Sequence, residues 1–262
     1  MTSKFNTATL VNYRNQYIQN KPYPYCVVDG LWSDSMLRKV ELEVLNFNKW
    51  EGNKNFDGAI HKRYCSQIDK MPPMVQKLLQ YCNSPDFINN LEKLTNENGL
   101  IPDPYLFGGG IFSTIENGFL KMHADFNWHE KLKLYRRINV LIYLNSNWVP
   151  SWGADLKFAV KEKEGLDIKV EIDPLFNRTV IFTSTDYSYH GHPTPLNAPK
   201  GTQRNALVLY YYVSEKPSDS ANFRRTGTDY RTSDGKKLIT IRRRIYLKLK
   251  NLIPEILKSI FK

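Results

Sequence analysis

Two hydrophobic rhythms divide this chain. In "SDSMLRKVELEVL", Leu37, Val40 and Val44 recur every three to four residues behind Ser33 and Asp34, which predicts a helix with one apolar stripe and a capping residue ahead of it. "MVQKLLQYCNSPDFINNLEKLT" carries the same spacing, and Ser84-Pro85 in its middle reads as an N-cap and first-turn proline, so two helices are predicted there. The first hundred residues thus read as mainly helical. From about Tyr105 the period shortens to two, and "LFGGGIFSTI", "GFLKMHA", "INVLIYLN", "ADLKFAV", "IKVEI", "RTVIFTST" and "NALVLYYYV" follow as strand candidates. Asn117-Gly118, Asn145 to Gly153, Asp173-Pro174 and Pro193 to Gly201 supply the turn signals between them.

Short turns without crossover helices predict an antiparallel sandwich or barrel. In the last strand Ala206, Val208, Tyr210 and Tyr212 alternate with Leu207, Leu209 and Tyr211, so both faces are apolar. One face can line a barrel while the N-terminal helices cover the other. The chain divides into a helical support region (1–103), a β-rich core of the same domain (104–215) and an extension (216–262). No internal repeat is visible. The "GGG" at 108 to 110 is not followed by Gly-Lys-Ser/Thr, which argues against a phosphate loop and for a bulged or bent strand.

Composition supports one globular unit: 262 residues, 41% apolar and 13% aromatic, can bury a sizeable core. No apolar run reaches the roughly 20 residues of a membrane-spanning helix, and "MTSKFNTATL" lacks the build of a secretion signal. Cys26, Cys65 and Cys82 form no C-x-x-C pair, which argues against a disulfide framework or a thiolate zinc site. A cytoplasmic, reducing location is expected.

The net charge of +11 changes the picture only at one end. From Lys236 onward nine basic residues face the single acid Glu255, so eight of the eleven net charges belong to the tail. Sequence-specific nucleic-acid binding is therefore not expected. In "LITIRRRIYLKLKNLIPEILKSIFK" apolar residues recur at helical spacing around Pro254, which predicts an amphipathic helix. It would dock on the β core or contact an anionic membrane or acidic partner.

Candidate chemistry sits in "FLKMHADFNWH". Residues i and i+2 of a strand point the same way, so His123 and Asp125 can aim an imidazole and a carboxylate at one point. A third ligand from a distant strand would complete two histidines and a carboxylate, a set that leaves positions open on Fe(II). "TVIFTSTDYSYHGHP" offers His190, with His192 on the same face as its rival. Arg204 opens the apolar strand "RNALVLYYYV", and a buried arginine there needs an anionic partner such as a bidentate carboxylate.

"HAD", "RRINVLIYLN", "WGADLKF", "FNRTVIF", "YHGHP" and "RNALVLYYY", from about Phe107 to Val213, resemble the prolyl-4-hydroxylase-like Fe(II)/2-oxoglutarate oxygenases, especially the branch acting on a ribosomal protein and its bacterial relatives. The resemblance implies a mainly β fold with α elements, a double-stranded β-helix (jelly roll, cupin-like) flanked by N-terminal helices. It also implies Fe(II) on His123, Asp125 and His190, 2-oxoglutarate on Arg204, Tyr143 near the co-substrate, O₂ consumption, and ascorbate as an optional reductant. Asp125 favours hydroxylation over halogenation, because halogenating relatives lack that acid. Thr114 stands where many relatives have a co-substrate-binding tyrosine, and Ala154 in "WGAD" where a second glycine is common.

The function implied is a dioxygenase hydroxylating a C–H bond, with prolyl residues of a protein or a sugar or other small molecule as alternative substrates. The competing classes are a metal-binding cupin without 2-oxoglutarate chemistry, which Arg204 argues against, and a non-catalytic adaptor carried by its basic tail. His129 is expected in the loop after the His-x-Asp strand, solvated or lining the substrate entrance.

Overall fold

A computed structural model describes Phe5, residues 7–220 and residues 224–238. The predicted tail helix lies outside the described residues. Helices α1 (Arg14–Gln19), α2 (Asp34–Leu45), α3 (Pro73–Cys82) and α4 (Pro85–Thr95) occupy the first part of the chain. The division between α3 and α4 falls where the sequence places it, with the Ser84 hydroxyl accepting from the Phe87 N–H at 3.5 Å and Pro85 in the first turn. None of the described helices is long and apolar enough to cross a membrane.

The first hundred residues are less helical than their periodicity suggests. They also supply β1 (Tyr25–Asp29), β2 (Gly52–Phe56) and β3 (Ala59–Cys65), and both β1 and β3 pair with the core sheet. Neither β2 nor β3 carries an apolar alternation that marks a strand: β2 is mostly polar, and the apolar residues of β3 flank a central His-Lys-Arg run.

The remaining strands are β4 (Ile101–Pro102), β5 (Gly110–Ala124), β6 (Trp128–His129), β7 (Leu134–Tyr143), β8 (Leu156–Glu162), β9 (Gly165–Ile172), β10 (Arg178–Thr183), β11 (Tyr189–His192), β12 (Arg204–Val213) and β13 (Asp229–Tyr230). All their pairings are antiparallel, in the order β1-β10-β7-β12-β5-β11-β8-β9, which curls into a double-stranded β-helix. β5 is the hinge of the arrangement. Its first part pairs with β12 and its last part with β11, so one strand joins the two walls.

"LFGGGIFSTI" and "GFLKMHA" form one strand, not two. Asn117 adopts a left-handed conformation (φ 59°), but β3 runs alongside on both sides of it, pairing Lys62 with Thr114 and Ile60 with Phe119. The supposed turn is therefore a bulge held between two neighbours. The triple glycine leads into this strand. Gly110 (φ 96°) opens it, and a Cβ there would collide with the Cys65 carbonyl oxygen.

The two-faced strands resolve as their alternation suggests. Leu207, Leu209 and Tyr211 of β12 and Ile138, Val140 and Ile142 of β7 pack in one core with Leu37, Val40, Leu78, Leu79 and Phe87 of the helices. Ala206, Val208 and Tyr143 turn inward to a second core with Phe112, Phe158 and Phe182. Each fully buried Leu or Ile side chain contributes roughly 2 kcal/mol by removal from water. Helix packing thus stiffens one wall while the interior stays available for the site.

Candidate metal centre and active site

His123 stands near the end of β5 and His190 in β11, and the two are direct register partners. Asp125 lies just beyond β5. The ligand atoms of these three buried residues all fall within 4.8 Å of one another. Each imidazole is oriented by its own backbone: His123 Nδ1 is 2.9 Å from the Lys121 carbonyl oxygen, and His190 Nδ1 is 2.9 Å from that of Ser188. With a proton on Nδ1 donated to the carbonyl, the lone pair is on Nε2, turned inward. His123 Nε2 lies 3.5 Å from Asp125 Oδ1, and His190 Nε2 lies 3.3 Å from Oδ2.

Protonation matches a ligand set. Burial, then the neighbouring His190, lowers the His123 pKa to about 4, so its imidazole is neutral near pH 7. Burial opposes the charge on Asp125, but Arg136 and the histidines outweigh it and hold the carboxyl well below its usual range. Arg136 Nη2 donates to Asp125 Oδ2 at 2.8 Å and Asn139 Nδ2 donates to the same oxygen at 3.0 Å. Arg136 Nε also donates to Asn139 Oδ1, and its guanidinium lies over the Tyr210 ring at 3.2 Å. Oδ1 is left to face His123, while Oδ2, held by these donors, is the oxygen next to His190. Two imidazole nitrogens and one carboxylate oxygen fit Fe(II).

A cavity beside the triad reaches inward to Arg204 and His192, between the apolar walls of Leu141, Leu156 and Ala206. Arg204 Nε donates to the Ala154 carbonyl at 2.7 Å and Nη2 to the Tyr143 hydroxyl at 3.2 Å, which aims the guanidinium. Both ring nitrogens of His192 are buried without a hydrogen-bond partner among the described residues. A cation at the blind end, unpartnered polar atoms and apolar walls suit a small dicarboxylate. His192 faces this cavity and lies outside the clustered triad. Tyr143 contacts Arg204 and is not among the residues lining the cavity.

A second cavity opens outward from His123 and Asp125, walled by the β2–β3 hairpin, Phe107, Tyr210 and the segment from Thr226 to Tyr230. That segment belongs to the C-terminal extension. Its β13 pairs with β5 beside the triad, Tyr230 opposite His123.

Residues 110–212 match the 2OG-Fe(II) oxygenase superfamily. Over this stretch the chain is similar to that superfamily. Solved structures agree in fold. A prolyl hydroxylase from Trichoplax adhaerens, in complex with a hypoxia inducible factor oxygen degradation domain peptide, is 19% identical with a TM-score of 0.57, over 79% of this chain and 90% of that one. A Pseudomonas putida prolyl-4-hydroxylase is 13% identical (TM-score 0.53; 78% and 99% covered). HygX from Streptomyces hygroscopicus, bound to nickel and 2-oxoglutarate, is 12% identical (TM-score 0.54; 83% and 97% covered). No curated protein sequence matches the chain. Iron and 2-oxoglutarate are the oxygenase's cofactor and co-substrate.

Several outcomes differ from the sequence expectation. His129 is neither solvated nor at the entrance: it is buried against Phe107 and Tyr212, with Nε2 3.6 Å from Asp103. Arg136, Asn139, Lys54 and Lys62 escaped notice. Arg136 and Asn139 are three apart, and strand period would put them on opposite faces. A register shift between Tyr211 and Tyr212, which pair with Ile138 and Arg136, places an extra residue between them and brings both to Asp125.

Proposed function

We propose that this oxygenase hydroxylates a C–H bond, with His123, Asp125 and His190 holding Fe(II) and Arg204 anchoring the distal carboxylate of 2-oxoglutarate. The observation that carries the reading is the convergence of the three ligand atoms within 4.8 Å beside a cavity ending in a buried arginine. When bound, the iron with 2-oxoglutarate and O₂ supplies the oxidant, and succinate and CO₂ are the co-products. The chain's own residues do the rest. Arg136 and Asn139 keep Asp125 ionised and turned to the metal, and Arg204 neutralises the co-substrate while Ala154 and Tyr143 fix its direction. The apolar walls keep bulk water from the reacting atoms.

A prolyl residue of a polypeptide is one substrate reading, supported by likeness to prolyl hydroxylases, one of them peptide-bound. A small polar molecule is the second, favoured by the charged outer cavity and by likeness to HygX, which also appears bound to hygromycin B. Succinate formation from 2-oxoglutarate, measured with Fe(II) and a panel of peptides and sugars, tests the function. Turnover that needs both Fe(II) and 2-oxoglutarate and rises with one panel member supports it. Succinate formation no greater than that of the Asp125→Ala variant overturns it.

A further inference from the structure

The outer cavity carries an imbalance of charge that the iron and co-substrate do not absorb. Lys54 and Lys62 are direct partners in the β2–β3 hairpin, so their side chains leave the same face, and both line this cavity. Neither forms an ion pair or hydrogen bond among the described residues. Their ammonium groups rest on aromatic rings instead, Lys62 at 4.0 Å and Lys54 at 5.6 Å from the Phe112 centroid, with Lys54 also 5.5 Å from Tyr64. Arg136 is the third cation in the wall. Among the described residues that line it Asp125 is the only acid, and Arg136 holds it at 2.8 Å.

Two like charges set opposite each other in a half-desolvated wall repel, and the arrangement is relieved by an anion between them. Their titration agrees: burial, then Lys54 and Arg204, hold Lys62 well below an ordinary lysine, and burial lowers Lys54. The co-substrate does not meet this need. Of the two lysines only Lys62 borders the inner cavity as well, whereas Lys54 faces the outer one alone.

We propose that the substrate carries a carboxylate or phosphate group that docks between Lys54 and Lys62, with its reactive C–H bond turned to the His123 and Asp125 side of the outer cavity. This rests on the oxygenase reading above and narrows its substrate to an acid. Hydroxyl groups of Thr226 and Thr228 and the rings of Tyr210 and Tyr230 complete a wall suited to a polar, sugar-sized body.

Calorimetric titration of the full chain, loaded anaerobically with Fe(II) and saturating 2-oxoglutarate, tests the site without turnover. The probes are inorganic phosphate, acetate, glucose 6-phosphate and glucuronate, with glucose as the neutral control. Phosphate or acetate is expected to bind, and at least one sugar acid to bind at least tenfold tighter than glucose. Lys54→Met is expected to weaken the acids at least tenfold and Lys54→Arg to restore most of the loss. Tighter phosphate probes identify a phosphate-bearing substrate, and tighter carboxylates a carboxylic acid. Equal affinity of the acids for wild type and Lys54→Met, or no preference over glucose, overturns the proposal. Failure of 2-oxoglutarate itself to bind in the same cell would instead overturn the oxygenase site.

Discussion

His190 stands directly opposite His123 in the β5–β11 pair, with ring centroids 4.4 Å apart and both Nε2 atoms turned to Asp125. If this trio is the metal site, His123→Ala or Asp125→Ala is expected to abolish both Fe(II) binding and turnover. Equilibrium dialysis against Fe(II) under anaerobic conditions checks it. Retention of one tightly bound ion by either variant would refute the assignment.

The approach of those histidines depends on Gly191. A Cβ at this position would lie 2.8 Å from the carbonyl oxygens of both Leu120 and Lys121, so β11 would have to lift off β5. Gly191→Ala is expected to cost about 1–3 kcal/mol of stability, as overpacking does, and to weaken metal binding at least tenfold. A variant with wild-type metal affinity would mean that the strands yield without moving the ligands.

Arg136 is fully buried against Asp125, and removing one member of such a pair strands the other charge. Arg136→Met is expected to destabilise the metal-free chain by about 3–5 kcal/mol, with a smaller loss once Fe(II) is bound and takes over the neutralisation. Urea unfolding with and without metal measures both. Losses that are equal in the two states would separate Arg136 from the metal site.

For Arg204, substitution by alanine is expected to leave the fold largely intact and raise the Kd of 2-oxoglutarate by an amount equivalent to about 2–5 kcal/mol, the usual cost of breaking a buried charge-assisted contact. Lysine should rescue only in part, since it lacks the guanidinium fork now held by Ala154 and Tyr143. An unchanged Kd in Arg204→Ala rules the anchor out.

Acid should loosen the metal-free chain in a defined window. His123 has its pKa lowered from 6.5 to about 4 by burial and then by His190. Between those values the unfolded chain binds more protons, so stability falls as pH drops from 6.5 towards 4, by up to about 1.4 kcal/mol per unit. Asp125, also depressed, acts in the same direction at lower pH: its contribution is present above the ordinary carboxylate pKa and lost as pH falls through the folded value. Urea midpoints across this range, compared with His123→Gln, read the effect. Identical slopes for the two proteins would exclude His123 as the titrating group.

Local chemistry made much of this molecule legible in advance. Helix spacing and the Ser84-Pro85 cap placed α3 and α4, alternation placed most strands from β5 onward, and the two-sided apolar pattern of β12 anticipated a strand buried between helices and interior. His123 and Asp125 could be named from their i, i+2 spacing at the end of a strand and Arg204 as a charge opening an apolar one, while the choice of His190 over His192 came from the resemblance to the oxygenases. Only the tertiary structure decided what lies around them. Arg136 reaches Asp125 through a register shift, the Asn117 bulge persists because β3 spans it, and Lys54 and Lys62 meet the site because a polar hairpin folds across its mouth. Strand register and the pairing of distant segments are set by packing among many residues at once. A period of two along one segment carries no record of which neighbour it will meet.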